Sequence, residues 1–116
     1  MTGEFNTVAN IRDFADSPLK VVEVDGREIL IARVGDEYLA AGNRCPHMGG
    51  NLSYGTLEGS VIKCYAHGRR FDLRDGKPQT SGLGKLLGGH GLATYEVKLE
   101  GEEILVSTTP RPAGAA

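Results

Sequence analysis
The clearest alternation of apolar and polar positions runs through "LKVVEVDGREILIARVGDEYLAAGN". Three runs rich in β-forming residues, Lys20–Val24, Glu28–Val34 and Glu37–Ala41, are separated by Asp25-Gly26 and Gly35-Asp36. Asp-Gly between such runs predicts a tight hairpin, because glycine accepts the positive φ that the turn needs. The segment "LATYEVKLEGEEILVSTT" repeats the pattern, with a strand Ala93–Leu99, a turn at Glu100-Gly101 and a strand Glu103–Thr108. Shorter strands are predicted at Phe5–Val8, Ser60–Lys63 and Arg70–Leu73, the last closed by Asp75-Gly76. One helical turn is predicted at Asn10–Phe14, and no amphipathic stretch is long enough for a full helix. Many short strands at this spacing predict an all-β fold, a small antiparallel β-sandwich or barrel.

Composition narrows the function. The 116 residues suit one domain, and 40% hydrophobic with 24% charged residues suits a soluble protein with an ordinary core. A formal net charge of −2 offers no broad basic surface for nucleic acid or anionic membrane. The start "MTGEFNTVAN" has neither a basic nor an apolar region of the kind a signal peptide needs. Apolar runs of a few residues fall far below the ~20 that span a bilayer. The expectation is a cytoplasmic monomer. Two cysteines allow at most one disulfide, which is no secreted framework. The tail "TPRPAGAA" reads as disordered, and the glycine-rich "SGLGKLLGGHG" at Ser81–Gly91 as a mobile loop.

The candidate chemistry lies where the strand pattern breaks. Cys45 is followed by His47 in "RCPHMGG", and Cys64 by His67 in "KCYAHGRRFD". Both pairs sit in glycine-bounded loops, the usual carriers of function on a β scaffold. The pattern is C-x-H, sixteen intervening residues, then C-x2-H. A zinc finger supplies both cysteines first and both histidines later, yet two thiolates and two imidazoles could still hold zinc tetrahedrally. One of each per loop also suits a binuclear iron cluster, with thiolates on one iron and imidazoles on the other. Ordinary buried cysteines are the bland alternative. Gly49, Gly50 and Gly68 could make turns or admit backbone N–H groups close to cluster sulfurs. His90, flanked by glycines, reads as a surface residue and not a ligand.

The segments "CPHMGG" and "CYAHGRRFD" resemble the two ligand loops of the Rieske family, whose [2Fe–2S] centre replaces two cysteines by histidines on one iron. The resemblance covers Phe5–Thr108 within a single domain of residues 1–116, leaving 109–116 as the tail. It implies a small antiparallel β domain with one cluster at a tip formed by two loops. It implies that Cys45 and Cys64 hold one iron, and His47 and His67 the other. Tyr65 stands where the family often has proline, and Pro78 is the candidate for its third, proline-containing loop.

By the same resemblance the chain is an electron-transfer component of an oxidoreductase system and not a catalyst on its own. The first reading is a soluble one-electron carrier of the Rieske ferredoxin type, passing electrons from a flavin-dependent reductase to a terminal, ring-hydroxylating type oxygenase. The alternative is the small Rieske subunit of a nitrite reductase or another oxidoreductase complex. A complete oxygenase is excluded by counting: a 2-His-1-carboxylate iron site needs two further histidines, and only His90 remains. A structural zinc module is the third class. The tip around Pro46, Met48, Gly68 and Arg69 is the expected docking surface. High-potential members resemble a pattern whose bridging cysteines fall here at Gly50 and Ala66, and whose hydroxyl donors fall at Arg69 and Phe71. All four features are missing, which implies a potential low in the family's range.

Overall fold
The computed structural model describes residues 5–44, 51–64, 70–77, 91–107 and 109–110. Ten strands follow in order: β1 (Phe5–Asn10), β2 (Leu19–Val24), β3 (Arg27–Val34), β4 (Glu37–Gly42), β5 (Thr56–Glu58), β6 (Val61–Lys63), β7 (Arg70–Asp72), β8 (Thr94–Tyr95), β9 (Val97–Glu100) and β10 (Glu103–Ser107). Short 3₁₀ turns occupy Ile11–Phe14 and Leu52–Tyr54. The strands form three antiparallel sheets, ordered β1-β10-β9, β2-β3-β4-β8 and β5-β6-β7.

The four-stranded sheet supports the rest because both of its faces are covered. Successive side chains along a strand point to opposite faces. Leu30 and Ala32 of β3, with Ala41 of β4, enter a core shared with Leu52, Ile62, Cys64, Phe71, Leu73 and Leu92. Ile29, Ile31 and Ala40 enter a second core with Phe14, Tyr95, Ile104 and Val106. The unbroken apolar run Ile29–Ala32 is the signature of such a doubly covered strand. The β2–β3 turn is closed by the pair Val24↔Arg27, and Asp25 itself takes φ 52, which a short polar side chain tolerates.

The predicted hairpins are present with shifted ends. The strand expected at Ala93–Leu99 is two strands. Thr94 and Tyr95 pair with β4, whereas Val97 onward pairs with β10. Thr94 and Tyr95 are both buried and Glu96 is exposed, so the chain changes sheets at Glu96. Its carbonyl accepts the Ser107 N–H at 2.9 Å. The last turn is Gly101-Glu102, one residue later than expected, because Glu100 still pairs with Glu103. β5 has no sequence signal of its own and exists through its pairing with β6. The segment 81–90 and most of the tail lie outside the described residues.

One ion pair ties the sheets together at the surface. Arg74 Nη2 and Nη1 donate to Glu37 Oε1 and Oε2 at 2.8 and 3.2 Å, joining the turn after β7 to the start of β4. These hydrogen bonds, and then the nearby positive charge, hold the Glu37 carboxyl below its ordinary range. The pair therefore contributes above the titration of an unfolded glutamate and is lost as pH falls through that of folded Glu37. Both groups are exposed, so the effect is small. Glu37→Gln is expected to flatten the acid limb of stability against pH, measured by urea unfolding between pH 3 and 7.

Gly76 gives a sharper expectation. It takes φ +77, its N–H donates to the Asp72 carbonyl at 2.7 Å, and its carbonyl accepts the Leu92 N–H at 2.8 Å. A Cβ there would collide with the Leu92 carbonyl, whereas at Gly26, at the same φ, it would meet open space. Gly26→Ala should cost about 1–2 kcal/mol for the backbone conformation alone. Gly76→Ala should cost clearly more, read as a larger drop in the urea midpoint.

Candidate metal centre
Two stems hold the segments that carry the Cys/His pairs. The first is the bridge Arg44↔Asn51, which brackets residues 45–50. The second is the β6–β7 hairpin, whose last pair Lys63↔Arg70 brackets residues 64–69. Each stem thus brackets six residues, the first of which is a cysteine.

Asn43 builds the first stem. It is 2% exposed. Its N–H donates to the Glu28 carbonyl at 3.1 Å, and its carbonyl accepts the Leu52 N–H at 2.6 Å. Its side-chain Oδ1 accepts the Ser53 N–H at 3.1 Å, and Nδ2 donates to Glu28 Oε1 at 3.4 Å. The chain entering the loop and the chain leaving it are thereby fastened to one buried side chain. Arg44 adds an ion pair to Glu28 at 3.6 Å.

The second stem rests on packing. Ile62 and Phe71 face the core from β6 and β7, and Cys64 follows directly at 1% exposure. Arg70 faces outward, with Nε 2.9 Å from Glu58 Oε1 on β5. Gly55 joins the two stems. Its N–H donates to the Leu52 carbonyl at 2.9 Å, and a Cβ on it would strike the carbonyl of Lys63, the residue before Cys64. Only glycine lets the exit of the first loop lie this close to the entry of the second. Leu92 brings the chain back from 78–90 onto the same core.

Of the four predicted ligands, Cys64 is described, and Cys45, His47 and His67 lie outside the described residues. So do Pro46, Met48, Gly49, Gly50, Gly68, Arg69, Pro78 and His90. Cys64 forms no disulfide. It lies among Leu52, Ile62, Phe71 and Leu92, which keep water from the sulfur. A buried, uncommitted thiol at the mouth of a pinned loop fits a soft metal centre. Phe71 turns its ring into the core and offers no hydroxyl.

Asn43, Gly55 and Asn51 were not among the residues singled out from the sequence. Asn43 stands two residues before Cys45, where an asparagine reads as an ordinary turn former; its burial depends on Glu28, fifteen positions away. Gly55 was one of 17 glycines, with no local mark of its contact.

The comparisons with known proteins agree with this arrangement. The family model of the Rieske [2Fe-2S] domain matches residues 4–86. The ferredoxin component of the naphthalene 1,2-dioxygenase/salicylate 5-hydroxylase systems of Ralstonia sp is 33% identical over 106 residues, covering 91% of this chain and 97% of the relative. The solved ferredoxin of carbazole 1,9a-dioxygenase from Nocardioides aromaticivorans IC177 superimposes with a TM-score of 0.79 at 31% identity, over 90% of this chain and 98% of that one. A chain from a complex of reduced oxygenase and oxidized ferredoxin in carbazole 1,9a-dioxygenase gives a TM-score of 0.80 at 29% identity, over 92% of this chain and 95% of that one. The paired loop stems, the buried cysteine and a family match over most of the chain lead to one conclusion: this chain belongs to the Rieske [2Fe-2S] domain family.

Proposed function
We propose that this chain is a soluble one-electron carrier that takes electrons from a flavin-dependent reductase and gives them to a terminal, ring-hydroxylating type oxygenase. Family membership implies one [2Fe–2S] cluster per chain. The observation that carries the reading is the pair of stems that bracket residues 45–50 and 64–69 over one core, with Cys64 buried at the start of the second. Near end-to-end alignment with a dioxygenase ferredoxin component supports the carrier role over an enzyme subunit of another class. The likeness to a chain from an oxygenase–ferredoxin complex supports an oxygenase as acceptor. Among the described residues no helix is long and apolar enough to cross a membrane. A cytoplasmic monomer completes the proposal.

Cys45 and Cys64 would hold one iron, and His47 and His67 the other. When bound, the cluster accepts and returns a single electron. The protein's share of the work is positional. Asn43 and Glu28 fix the ends of the first loop, and the β6–β7 pairing fixes those of the second. Stems this constrained would hold the ligands in place, so that little rearrangement would accompany transfer. Leu52, Ile62 and Leu92 exclude water from the Cys64 side.

Anaerobically purified protein is expected to contain two irons and two acid-labile sulfides per chain. Cys64→Ser and Cys45→Ser should each lose the cluster, because a hydroxyl is a poor substitute for a soft thiolate. His90→Ala should keep both irons and an unchanged visible spectrum. Stoichiometric zinc without sulfide in the wild-type protein would end the reading.

The reduction potential tests it separately. Rieske centres span roughly −150 to +300 mV, set partly by hydrogen bonds to the sulfurs. Phe71 occupies a hydroxyl-donor position and supplies none, and Arg69 is not a serine. The expected midpoint is below zero at pH 7 by spectroelectrochemistry. A value near the top of the range would contradict the missing-donor argument.

A further inference from the structure
Among the described residues, Asn51 Oδ1 is the buried side-chain oxygen with no hydrogen-bond partner. Its position makes the vacancy informative. Asn51 stands before the 3₁₀ turn Leu52–Tyr54, where an asparagine ordinarily caps by accepting a backbone N–H from the second or third residue. Here its side chain makes no capping bond. The reason is visible in the neighbouring bonds. Asn43 Oδ1 already takes the Ser53 N–H, and the Tyr54 N–H goes to the Asn51 backbone carbonyl at 3.2 Å. Asn43 has taken over the work that Asn51 would otherwise do.

The half-buried Asn51 side chain is therefore released from the turn with its oxygen still buried, directly after residues 45–50 and opposite Arg44. A buried acceptor without a donor is destabilising, so such a group calls for a reason. A carboxamide has ends of nearly equal size, and a half-turn puts an N–H₂ donor where the oxygen lay. Thiolate and sulfide sulfurs are acceptors, and a hydrogen bond to them stabilises the extra negative charge of the reduced state. This chain lacks the hydroxyls that would supply such bonds from positions 69 and 71.

We propose that in the loaded protein the Asn51 side chain turns its N–H toward the cluster and donates to a sulfur, making Asn51 a positioning residue that raises the reduction potential. The proposal rests on the reading of the chain as a cluster-bearing carrier. A wild-type protein without acid-labile sulfide would end both. An unchanged potential in a loaded variant would end this one alone.

The test uses the full-length, loaded protein with Asn51→Leu, which keeps the size and removes the donor, and Asn51→Ala, which removes it without risk of a clash. Midpoint potential, iron content and melting temperature are measured for each. The expected result is two irons per chain and a lower midpoint in both variants. A tenfold loss of preference for the reduced state corresponds to about 59 mV for one electron. An unchanged midpoint with a higher melting temperature would overturn the proposal, because it would show a buried oxygen that only destabilises. Loss of iron from both variants would also overturn it, by showing that the residue supports the loop and does not tune the centre.

Discussion
The buried side chain of Asn43 is the constraint on which the site depends. A loop of six residues cannot fix its own ends, and a single bridge such as Arg44↔Asn51 is a weak closure. Asn43 converts that closure into a rigid stem by bonding to residues on both sides of it, with Glu28 of the central sheet as its anchor. Each polar group on Asn43 has a partner, so burying them carries little penalty. Had any been left unsatisfied, the stem would be a liability in the same place. Asn43 also explains Asn51, since the turn has room for one side-chain cap and two asparagines beside it.

The two cores divide the work. The one containing Phe14, Ile104 and Val106 gathers the 3₁₀ turn after β1 and strand β10 against one face of the central sheet, where Tyr95 of its own strand β8 joins them. The one containing Leu52, Ile62, Cys64, Phe71 and Leu92 lies between the two stems, with Leu52 just after residues 45–50, Cys64 just before 65–69 and Leu92 soon after 78–90. Packing between the stems therefore doubles as exclusion of water from Cys64. The Glu37–Arg74 pair ties β4 to the turn after β7, but it is exposed and secondary to the core.

Most of the scaffold was legible in the sequence because it is local. Asp25-Gly26 and the alternating runs beside it encode a hairpin without reference to the rest of the chain, whereas the covering of Ile29–Ala32 on both faces came only with the structure. The sheet change at Glu96 was not legible, since its cause is which partner each half finds: β4 for Tyr95 and β10 for Val97. β5 was missed for the same reason, its three residues carrying no pattern of their own. At the site, the family was legible in the Cys/His pattern because residue type and spacing are written in the chain. The supports were not. The Gly55 contact on Lys63 and the burial of Asn43 are tertiary facts that leave no mark in their own neighbourhood.

That division has a physical basis. A metal ligand is specified by what it is, so a cysteine or histidine announces itself. A support is specified by what it touches, and asparagine or glycine does so in ways that differ from site to site. The same logic separates the two asparagines at this loop. Asn43 is explained completely by the contacts of the protein alone. Asn51 is not, and its oxygen is left without a donor beside a partner that has displaced it from the turn. The fold satisfies the polar groups of one asparagine and leaves the oxygen of the other without a donor directly after the segment that carries Cys45 and His47, which is why the proposed tuning of the centre falls to Asn51 and not to Asn43.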